Sequence, residues 1–430
     1  MKSYSEILDF LYHFTPAYHK IGSIAYKPGL EKSFQLDKYF GHPHRYYQTI
    51  HIGGTNGKGS VSHALAAILA QAGYKVGLYT SPHLVDFVER IKINGKEAPH
   101  EYVINFVEQH QDIILQVQPS FFEFTTFMAF EYFKIHQVDV AIVEVGMGGR
   151  LDTTNLIQPI LTLITNVSYD HQQFLGDTLE KIAFEKAGII KKNVPVIIGE
   201  HHPETDKIFI QKSQNENSVL AFAEDAFEWE LLHADYQQQT LKDKFSGMVF
   251  TTDLIGSYQQ KNLKSILLAV QYISDFFPNI KKNYLDALKN IKKTAGLRGR
   301  MEILEYENIK ILLDVAHNEA GITELIQNLN AFGHKNLHFI LGFVNDKKIN
   351  KILSLFPKEA QYYFVKPSVE RGLDAKTLQN EAKSIGLSGK SYENITLAWQ
   401  DAKNQISSGE LLVVAGSCFL IGDLLKNLKM

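Results

Sequence analysis

Short apolar segments alternate with longer amphipathic segments over most of the chain. The short segments are rich in Val and Ile, and a glycine-rich or polar turn follows each one, which predicts buried parallel strands. In the first two thirds of the chain these strands are expected at residues 48–53, 75–80, 138–145, 160–167 and 194–198. Apolar residues at helical spacing predict helices between them, at residues 58–72, 101–117, 124–136 and 179–188.

This order of elements is typical of an α/β fold, in which helices cover both faces of a mostly parallel sheet. The alternation is lost at residues 226–252, where aromatic and polar residues are mixed. Short antiparallel strands are expected there, and we expect them to close the edge of the sheet. Two helices are predicted next, at residues 258–277 and 283–293.

A basic, glycine-containing segment at residues 292–300 is typical of a linker. A second alternating series follows it and predicts a smaller, Rossmann-like α/β domain, with strands at residues 309–315, 337–341, 361–365 and 411–414. A chain of 430 residues is also too long for one ordinary hydrophobic core. We therefore expect an N-terminal domain of residues 1–296 and a C-terminal domain of residues 297–430.

Composition narrows the class of protein. The 44 basic and 47 acidic residues are spread along the chain, so no basic patch favours a nucleic-acid partner. Cys418 is the single cysteine, which excludes an intrachain disulfide and favours a reducing compartment. The sequence has no apolar run of about 18 residues and no signal-peptide pattern. We expect a monomeric cytoplasmic protein that is not held at a membrane.

The segment GGTNGKGS at residues 53–60 lies between a predicted strand and a predicted helix, which is the context of a phosphate-binding loop. Its glycines allow several backbone N–H groups to face a triphosphate, and Lys58 adds a positive charge. The hydroxyl of Ser60 is a candidate Mg²⁺ ligand. Gly59 separates Lys58 from Ser60, unlike the common spacing, so a glycine-rich turn without a ligand is the alternative.

Three further polar residues follow predicted strands, and parallel strands present their carboxyl ends at one edge of a sheet. Glu144 ends a buried strand, where a charge is costly unless it is paired or bound to metal. It is therefore a candidate second Mg²⁺ ligand. Ser81 and His171 are expected at the same edge, although each alone is compatible with a turn or surface role. Lys186, on a predicted helix, is by itself typical of a solvated lysine.

Together these segments resemble the folylpolyglutamate synthase/dihydrofolate synthase family within the Mur ligase superfamily. The resemblance extends over nearly the whole chain. Its carriers are GGTNGKGS at 53–60, TSPHL at 80–84, EVGMGGRLDTTN at 144–155, ITNVSYDHQQFLG at 164–176, EKAGIIK at 185–191 and DVAHN at 314–318. The resemblance implies an ATP-binding, Mur-ligase-like domain at 1–296 and a glutamate-ligase-like domain at 297–430.

The resemblance also implies a set of site residues. The nucleotide is expected to contact Gly54, Thr55, Asn56, Gly57, Lys58, Gly59, Ser60, Asn262, Arg300, Asp314 and His317. Two Mg²⁺ sites are implied, with ligands from Ser60, Ser81, Glu144 and His171. Lys58, Lys186 and His171 are the expected catalytic residues, and Lys186 is expected to be carbamylated. The pterin substrate is expected to contact Ser81, His83, Ser120, Phe122, Glu123, Leu151, Asp152 and Thr153.

Some positions differ from the family pattern or have a second interpretation. Val315 occupies a position where the family often has glycine, and Glu319 and Arg298 occupy positions where proline is common. Phe122 could stack on a flat ring, but the phenylalanines around it are also compatible with a hydrophobic core at the start of a helix.

The reaction implied is ATP-dependent amide formation. The substrate carboxylate would attack the γ-phosphate, and the amine of L-glutamate would then displace phosphate from the acyl phosphate. We expect the second domain to close over the site and bring Arg300 and Asp314 to the nucleotide. The acceptor is expected to be dihydropteroate, a reduced folate or both. The alternatives are a muramyl peptide ligase and a non-catalytic nucleotide switch.

Overall fold

The computed structural model describes residues 2–15, 29–333, 336–345, 349–407 and 409–430. In the first part of the chain, the strands are β1 (Gln48–Gly53), β2 (Val76–Tyr79), β3 (Ile91–Ile93), β4 (Lys96–Glu97), β5 (Val140–Glu144), β6 (Leu161–Ile164), β7 (Val196–Ile198), β8 (Leu220–Phe222), β9 (Trp229–Ala234), β10 (Gln239–Asp243) and β11 (Val249–Thr252). The second part contributes β12 (Glu302–Tyr306), β13 (Ile309–Leu313), β14 (Leu337–Leu341), β15 (Gln361–Val365), β16 (Gly389–Tyr392) and β17 (Leu411–Ala415).

The α-helices of the described residues lie on and between these strands. In the first part they are α1 (Tyr4–Phe14), α2 (Glu31–Tyr39), α3 (Lys58–Gln71), α4 (His100–Gln109), α5 (Gln111–Val117), α6 (Phe121–Ile135), α7 (Gln172–Leu175), α8 (Leu179–Ala187), α9 (Asp206–Asn215), α10 (Ala223–Ala226), α11 (Ser257–Ile273), α12 (Ile280–Ala287) and α13 (Ile291–Ala295). In the second part they are α14 (Glu319–Ala331), α15 (Ile349–Leu353), α16 (Ala375–Ser384), α17 (Ile395–Gln405) and α18 (Cys418–Asn427).

Strands β1 to β8 form one sheet in the order β4-β3-β2-β5-β1-β6-β7-β8. The six strands from β2 to β8 in this order are parallel, whereas β3 and β4 are antiparallel additions at one edge. Strand β1 is central, and its Ile52 is in register with Glu144 of β5 and Leu163 of β6. The carboxyl ends of β1, β5 and β6 therefore lie side by side, which confirms the expected mostly parallel sheet.

Helices cover both faces of this sheet. On one face, α3 is buried from Gly59 to Leu69 because it lies between the sheet and α11, α12 and α13. On the other face, α6 buries Phe124, Phe127, Phe130 and Phe133 against the sheet and its neighbours. The second interpretation of this phenylalanine segment is thus correct for most of its members, because their rings form the hydrophobic core.

The segment at residues 226–252 does not close the edge of the large sheet, contrary to expectation. Strands β9, β10 and β11 form a separate antiparallel sheet, and β8 is the edge strand instead. Leu241 and Phe250 bury their side chains in the core that α3 and α11 share. The Trp229 indole N–H also donates to the Gln260 carbonyl, 2.8 Å away. The small sheet is therefore attached through its apolar face, because apolar area can be buried against helices without strand pairing.

The second large sheet has the order β12-β13-β17-β14-β15-β16. All neighbours in it are parallel except β12, which pairs with β13 in antiparallel orientation. Its strands alternate between two apolar clusters, with Leu312, Phe339 and Val413 on one face and Ile311, Ile340 and Val414 on the other. This arrangement confirms the predicted smaller α/β unit with helices on both faces.

Sequence and structure differ mainly at edges and helix ends. Strands β4, β8, β12 and β16 were not predicted, because edge strands are short and partly exposed. Strand β3, next to the edge, was also not predicted, because it has only three residues. The single helix expected at 101–117 is two helices that meet at His110. Helix α6 begins three residues earlier than predicted because Ser120 and Glu123 form a capping box at its start.

Within the described ranges, none of the helices combines the length and the apolar character that crossing a lipid bilayer requires. Cys418 begins helix α18 as a free thiol. It lies among the residues that line the cavity described below.

We predict that Gly77 on β2 is needed for packing. A Cβ at this position would lie 2.7–2.9 Å from three atoms of the Phe133 ring, so Gly77→Ala forces the ring to move. The free energy of unfolding measured in urea should fall by about 1–3 kcal/mol.

A double-mutant cycle checks the cause. Gly77→Ala combined with Phe133→Leu should cost less than the sum of the two single changes, because the shorter side chain relieves the overlap. Combination with Phe339→Leu, in the other sheet, serves as the additive control. Equal additivity in both pairs would show that the contact between Gly77 and Phe133 is not the constraint.

Candidate active site

The carboxyl ends of both large parallel sheets face one cavity of about 280 Å³. Ligands of open α/β sheets bind at this end of the strands, because the loops there are free to vary while the sheet is rigid. From the first sheet the lining includes Gly54, Thr55, Lys58, Ser81, Arg90, Gly146, Asp170, His171 and Lys186. From the second sheet and its loops it includes His317, Val344, Arg371, Gly416, Ser417, Cys418 and Phe419.

The loop between β1 and α3 requires glycine at two positions. Gly54 and Gly57 have φ values of 132° and 86°, which residues with a Cβ rarely adopt. A Cβ added to Gly54 would lie 1.9 Å from the Thr165 hydroxyl oxygen, and a Cβ added to Gly57 would lie 2.3 Å from the Asn262 amide oxygen. The backbone at residues 54–57 can therefore approach a ligand closely, and α3 begins directly after it at Lys58.

Lys58 bends back over this loop. Its ammonium donates to the carbonyl oxygens of Gly54 and Thr55, at 3.2 and 3.0 Å. The charge is thus held beside the N-terminus of α3, where the helix dipole also favours an anion. The geometry is that of a phosphate-binding loop, in spite of the additional glycine between Lys58 and Ser60.

The end of β6 fixes the shape of the loop from the side. The Thr165 hydroxyl donates to the Asn56 carbonyl at 2.5 Å, and the Asn56 N–H donates to the Asn166 amide oxygen at 3.0 Å. Neither Thr165 nor Asn166 was singled out from the sequence. Both residues lie in the strand predicted at residues 160–167, and the carboxyl end of that strand is the signal that could have found them.

Ser60 and Asn262 are joined by a residue that the sequence did not indicate. The Gln259 amide donates to the Ser60 hydroxyl at 3.1 Å, and its amide oxygen accepts from Asn262 at 2.8 Å. All three side chains are buried. Helix α11 therefore positions the hydroxyl of the first turn of α3 and places Asn262 against Gly57.

The second sheet meets the loop through Asn318 and His317. Asn56 and Asn318 exchange two amide hydrogen bonds, at 3.2 and 3.0 Å. Asn318 also donates to the Asp170 carboxylate at 3.2 Å, and His317 Nε2 lies 3.3 Å from the same carboxylate oxygen. Asn318 is in addition the N-cap of α14. The contact between the two sheets thus passes directly through the phosphate-binding loop.

Arg300 and Asp314 were both expected to contact the nucleotide, but only Arg300 lies next to the phosphate-binding loop. A Cβ at Gly59 would lie 3.4 Å from Arg300 Nη2, so the guanidinium is over the first turn of α3. Asp314 is buried instead beneath the site, where it accepts hydrogen bonds from Tyr258 and from the backbone N–H groups of Met301 and Ala316. Burial raises the pKa of Asp314, while Arg300 and the two N–H groups oppose this. Asp314 orders the backbone around Arg300.

Glu144 extends from the end of β5 and is only 4% exposed. It accepts a hydrogen bond from the Ser81 N–H at 3.2 Å. Burial raises the pKa of the Glu144 carboxyl, and Lys58, the Ser81 N–H and Arg300 partly offset this. A buried carboxylate among cationic groups at the mouth of a phosphate-binding loop has the chemistry of a ligand for a hard divalent cation.

Lys186 is not the solvated helix residue that its local sequence suggested. It is 3% exposed on α8 and lines the cavity. Burial and the nearby Lys58 lower the pKa of Lys186 to about 7, although Asp170 favours the charged form. His171 lines the same cavity, with a left-handed backbone at φ 50° immediately before α7. The structure therefore places both residues at the cavity wall.

Ser120 and Glu123 line the cavity but have structural partners. The Ser120 N–H donates to Glu123 at 2.7 Å, and the Glu123 N–H donates to the Ser120 hydroxyl at 3.2 Å. The second Glu123 oxygen accepts from Ser33 on α2 at 3.1 Å, and the Ser33 hydroxyl lies 3.0 Å from that of Thr153. These residues shape the wall of the cavity, and Ser33 was missed because its helix shows no motif.

The carboxylate oxygens of Asp152 also accept hydrogen bonds from protein donors. It accepts from the Met147 N–H at 2.9 Å and from the Thr154 N–H and hydroxyl at 3.0 and 2.5 Å. Because Thr154 donates to Asp152, His51 Nε2, 2.9 Å away, must donate to Thr154. Burial raises the pKa of Asp152, and these donors oppose it. Asp152 therefore holds the glycine loop that follows β5.

The two apolar residues expected at the substrate reach the cavity. Leu151 and Phe122 both line it, and the Phe122 ring packs directly on Gly146, where a Cβ would lie 2.6 Å from the ring. Phe122 is partly exposed, unlike its neighbours Phe121 and Phe124. Part of the ring is thus open to the cavity.

His83 is the exception among the expected substrate residues, because it is not part of the lining. It accepts from the Arg90 Nε–H at 2.8 Å. Arg90 itself is 3% exposed and lines the cavity. The TSPHL segment therefore contributes Ser81 directly, whereas its histidine orients an arginine that was not predicted.

The second sheet contributes further residues that were missed, among them Arg371, Ser417 and Phe419. Ser417 follows the carboxyl end of β17 and caps α18, while the Arg371 guanidinium lies 5.6 Å from the centre of the Phe419 ring. Strands β15 and β17 were predicted, and the polar residues after their ends are the signal that could have found them.

Comparison with known proteins gives two family matches. The Mur ligase middle domain matches residues 52–270, and the Mur ligase glutamate ligase domain matches residues 299–418. The first match covers the phosphate-binding loop, Glu144 and Lys186. The second covers Arg300, the loop at Asn318 and the start of α18.

Individual relatives agree with the two Mur ligase domain matches. The chain is 32% identical over 415 residues to a dihydrofolate synthase/folylpolyglutamate synthase of Bacillus subtilis, covering 94% of this chain and 95% of that protein. It superposes on Escherichia coli FolC in complex with DHPP and ADP with a TM-score of 0.83 and 27% identity, covering 100% and 98% of the two chains.

A third relative is a bifunctional folylpolyglutamate synthase/dihydrofolate synthase from Yersinia pestis, complexed with AMPPNP and a Mn ion. The TM-score is 0.82 at 25% identity, with 100% of this chain and 99% of that chain covered. These names favour a folate ligase over a muramyl peptide ligase or a nucleotide switch. The chain belongs to the folylpolyglutamate synthase/dihydrofolate synthase family of Mur ligases, and it is an ATP-dependent carbon–nitrogen ligase.

Proposed function

We propose that this chain is a bifunctional enzyme that adds L-glutamate both to dihydropteroate and to reduced folates. The observation that carries the proposal is the shared cavity, which brings the phosphate-binding loop, Lys186 and an aromatic wall together with cationic and hydroxyl groups of a second sheet. We further propose that the enzyme is a cytoplasmic monomer with domains at residues 1–296 and 297–430.

ATP would bind at the N-terminus of α3. Residues 54–60 would surround its phosphates, with Lys58 and Arg300 as the charged groups and Asn262 beside Gly57. The Asn56 and Asn318 amide pair explains how nucleotide binding would be transmitted to the second sheet. Asp314 and His317 would act through backbone and side-chain positioning, since Asp314 is enclosed by its own donors.

Divalent metal would be held by Ser60, Ser81, Glu144 and His171, and we propose two Mg²⁺ sites among them. The three oxygen donors of this set fit, because hydroxyl and carboxylate oxygens are what Mg²⁺ prefers and a buried Glu144 needs a cation. When bound, Mg²⁺ neutralises negative charge on phosphoryl oxygens. Lys58 adds to this effect from the protein side.

Lys186 would be carbamylated. Its pKa of about 7 leaves much of the amine neutral at physiological pH, and only a neutral amine combines with CO₂. The product is an anion in a pocket that already contains Lys58. Carbamylation would thus turn a costly buried cation into a group that a cation stabilises.

The pterin would lie against Phe122 and Leu151, at the wall formed by Ser120, Glu123, Asp152 and Thr153. At the other side, Arg371 and Ser417 would receive the carboxylates of L-glutamate near the start of α18. The acceptor carboxylate would then attack the γ-phosphate, and the glutamate amine would attack the acyl carbon. Enclosure between the two sheets would keep water from the acyl phosphate.

Product analysis tests the proposed function. With ATP, Mg²⁺ and L-glutamate, dihydropteroate and tetrahydrofolate in separate reactions should each gain one glutamate in mass, with matching release of phosphate. Phosphate release with only one acceptor would exclude the bifunctional assignment. Phosphate release that depends on a UDP-muramyl compound instead would exclude a folate ligase.

We predict that Lys58→Met lowers kcat/KM by about 100-fold or more, because the charge opposite the transferred phosphoryl group is lost while the stem is kept. Lys96→Met, on the exposed strand β4, is the matched control and should leave kcat/KM unchanged. Circular dichroism verifies folding. Near-normal activity of a folded Lys58→Met protein would contradict the assigned role.

The carbamate on Lys186 predicts a pH dependence. The neutral fraction of an amine with pKa of about 7 rises from roughly one tenth at pH 6 to roughly nine tenths at pH 8. In ¹³C-labelled bicarbonate, the carbamate signal in the NMR spectrum should therefore increase over this range.

Lysine variants assign that signal. Lys186→Arg should remove both the carbamate signal and the activity. Lys191→Arg is the control, since Lys191 is also largely buried and its pKa is lowered to about 8. A carbamate signal that remains in Lys186→Arg, or that is absent from the wild-type enzyme, would contradict carbamylation of Lys186.

A further inference from the structure

A second cluster of ligating side chains lies outside the ligase site, at the end of α2. Asp37 is in the last turn of this helix, and His42 and His44 follow within seven residues. One ligand atom from each side chain lies within 4.8 Å of the others. Asp37 and His44 are 5% and 6% exposed, whereas His42 is partly open to solvent.

The backbone explains why these side chains converge. The His42 N–H donates to the Asp37 carbonyl at 2.9 Å, and the Gly41 N–H donates to the Lys38 carbonyl at 3.3 Å. This is a Schellman motif, in which the chain turns back over the last turn of the helix. Gly41 and His42 are both left-handed, at φ 67° and 56°, and Pro43 then starts the short turn that carries His44.

Asp37 Oδ1 and His44 Nε2 are both buried and lie 3.1 Å apart as a carboxylate–imidazole pair, outside the angular range of a good hydrogen bond. The other carboxylate oxygen is 2.6 Å from His42 Nδ1. A cation between Asp37 Oδ1 and His44 Nε2 would bind both of these buried atoms.

We propose that Asp37, His42 and His44 form a binding site for a late first-row divalent cation, for which Zn²⁺ is the probe. Two imidazole nitrogens and one carboxylate oxygen are a typical ligand set for Zn²⁺, with solvent at the fourth position beside the exposed His42. A cation there also offsets the placement of a carboxylate at the negative end of the α2 dipole.

The position of the site gives it a structural consequence. Ser33, four residues before Asp37 on α2, contacts Glu123 and lies beside Thr153, both of which line the ligase cavity. Residues four apart share one face of a helix. A cation that fixes the end of α2 would therefore steady the helix that supports the cavity wall, without contacting ATP or the pterin.

Zinc binding to the full-length, tag-free protein tests the proposal. In millimolar Mg²⁺ and without nucleotide, calorimetry should show about one Zn²⁺ per chain with a Kd in the micromolar range or below. The melting temperature should rise with Zn²⁺ concentration, as expected for a ligand that binds the folded state. Co²⁺ in place of Zn²⁺ should give a visible absorption spectrum of tetrahedral coordination.

Isosteric variants separate a metal site from a hydrogen-bonded turn. His42→Asn keeps a donor near Nδ1 and tolerates the left-handed backbone, and His44→Gln keeps a donor near Nε2, so both retain the contacts to Asp37. Each should weaken Zn²⁺ binding by about tenfold or more while leaving the metal-free melting temperature nearly unchanged. His201→Gln, in an exposed cluster with Asp206 and Asp225, is the control and should leave binding unaltered.

Two outcomes would overturn the proposal. One is wild-type protein that binds no Zn²⁺ in the micromolar range. The other is binding of equal affinity in wild type, His42→Asn and His44→Gln. In either case the three side chains would form only a polar cap on α2.

Discussion

The backbone of the loop between β1 and α3 is the constraint on which the rest of the site depends. This backbone can approach a ligand closely only because Gly54 and Gly57 adopt left-handed conformations in spaces that admit no side chain. The end of β6 holds the loop from one side, and α11 holds it from another. Because each support is itself part of a hydrophobic core, the loop keeps its shape before any ligand arrives.

Hydrogen bonding separates two kinds of buried acid around this loop. Asp152 and Asp314 each accept from three protein donors, so their charge is satisfied within the fold and they hold backbone in place. Glu144 is equally buried, yet among the described residues it accepts a hydrogen bond only from the N–H of Ser81. A buried carboxylate with so little support suits a cation from outside the chain. Lys186 is a buried amine whose positive charge is costly, and carbamylation would remove that charge.

The sequence indicated much of the site because strand ends are visible in it. The phosphate-binding loop, Glu144, Ser81 and His171 all follow apolar strands, and parallel pairing alone brings such positions together. Ser120 and Glu123 show the limit of motif matching. They do line the cavity, but their side chains serve first as the capping box of α6, a pattern that the sequence also contained. His83 was placed in the site by its motif, whereas the structure turns it toward Arg90.

The order of apolar strands and amphipathic helices by itself determined the α/β class, the central parallel strands of both sheets and the chemistry of the phosphate-binding loop. These features depend on the local spacing of apolar and polar residues, which can be read directly from the sequence. The tertiary structure decided which side chains meet across long distances in sequence, such as Asn56 with Asn318 and Gln259 with Ser60. It also brought Arg371 to the cavity that the two sheets share. It also decided that Lys186 is buried, because a lysine's pKa depends on surroundings contributed by other segments, not on its neighbours in the helix.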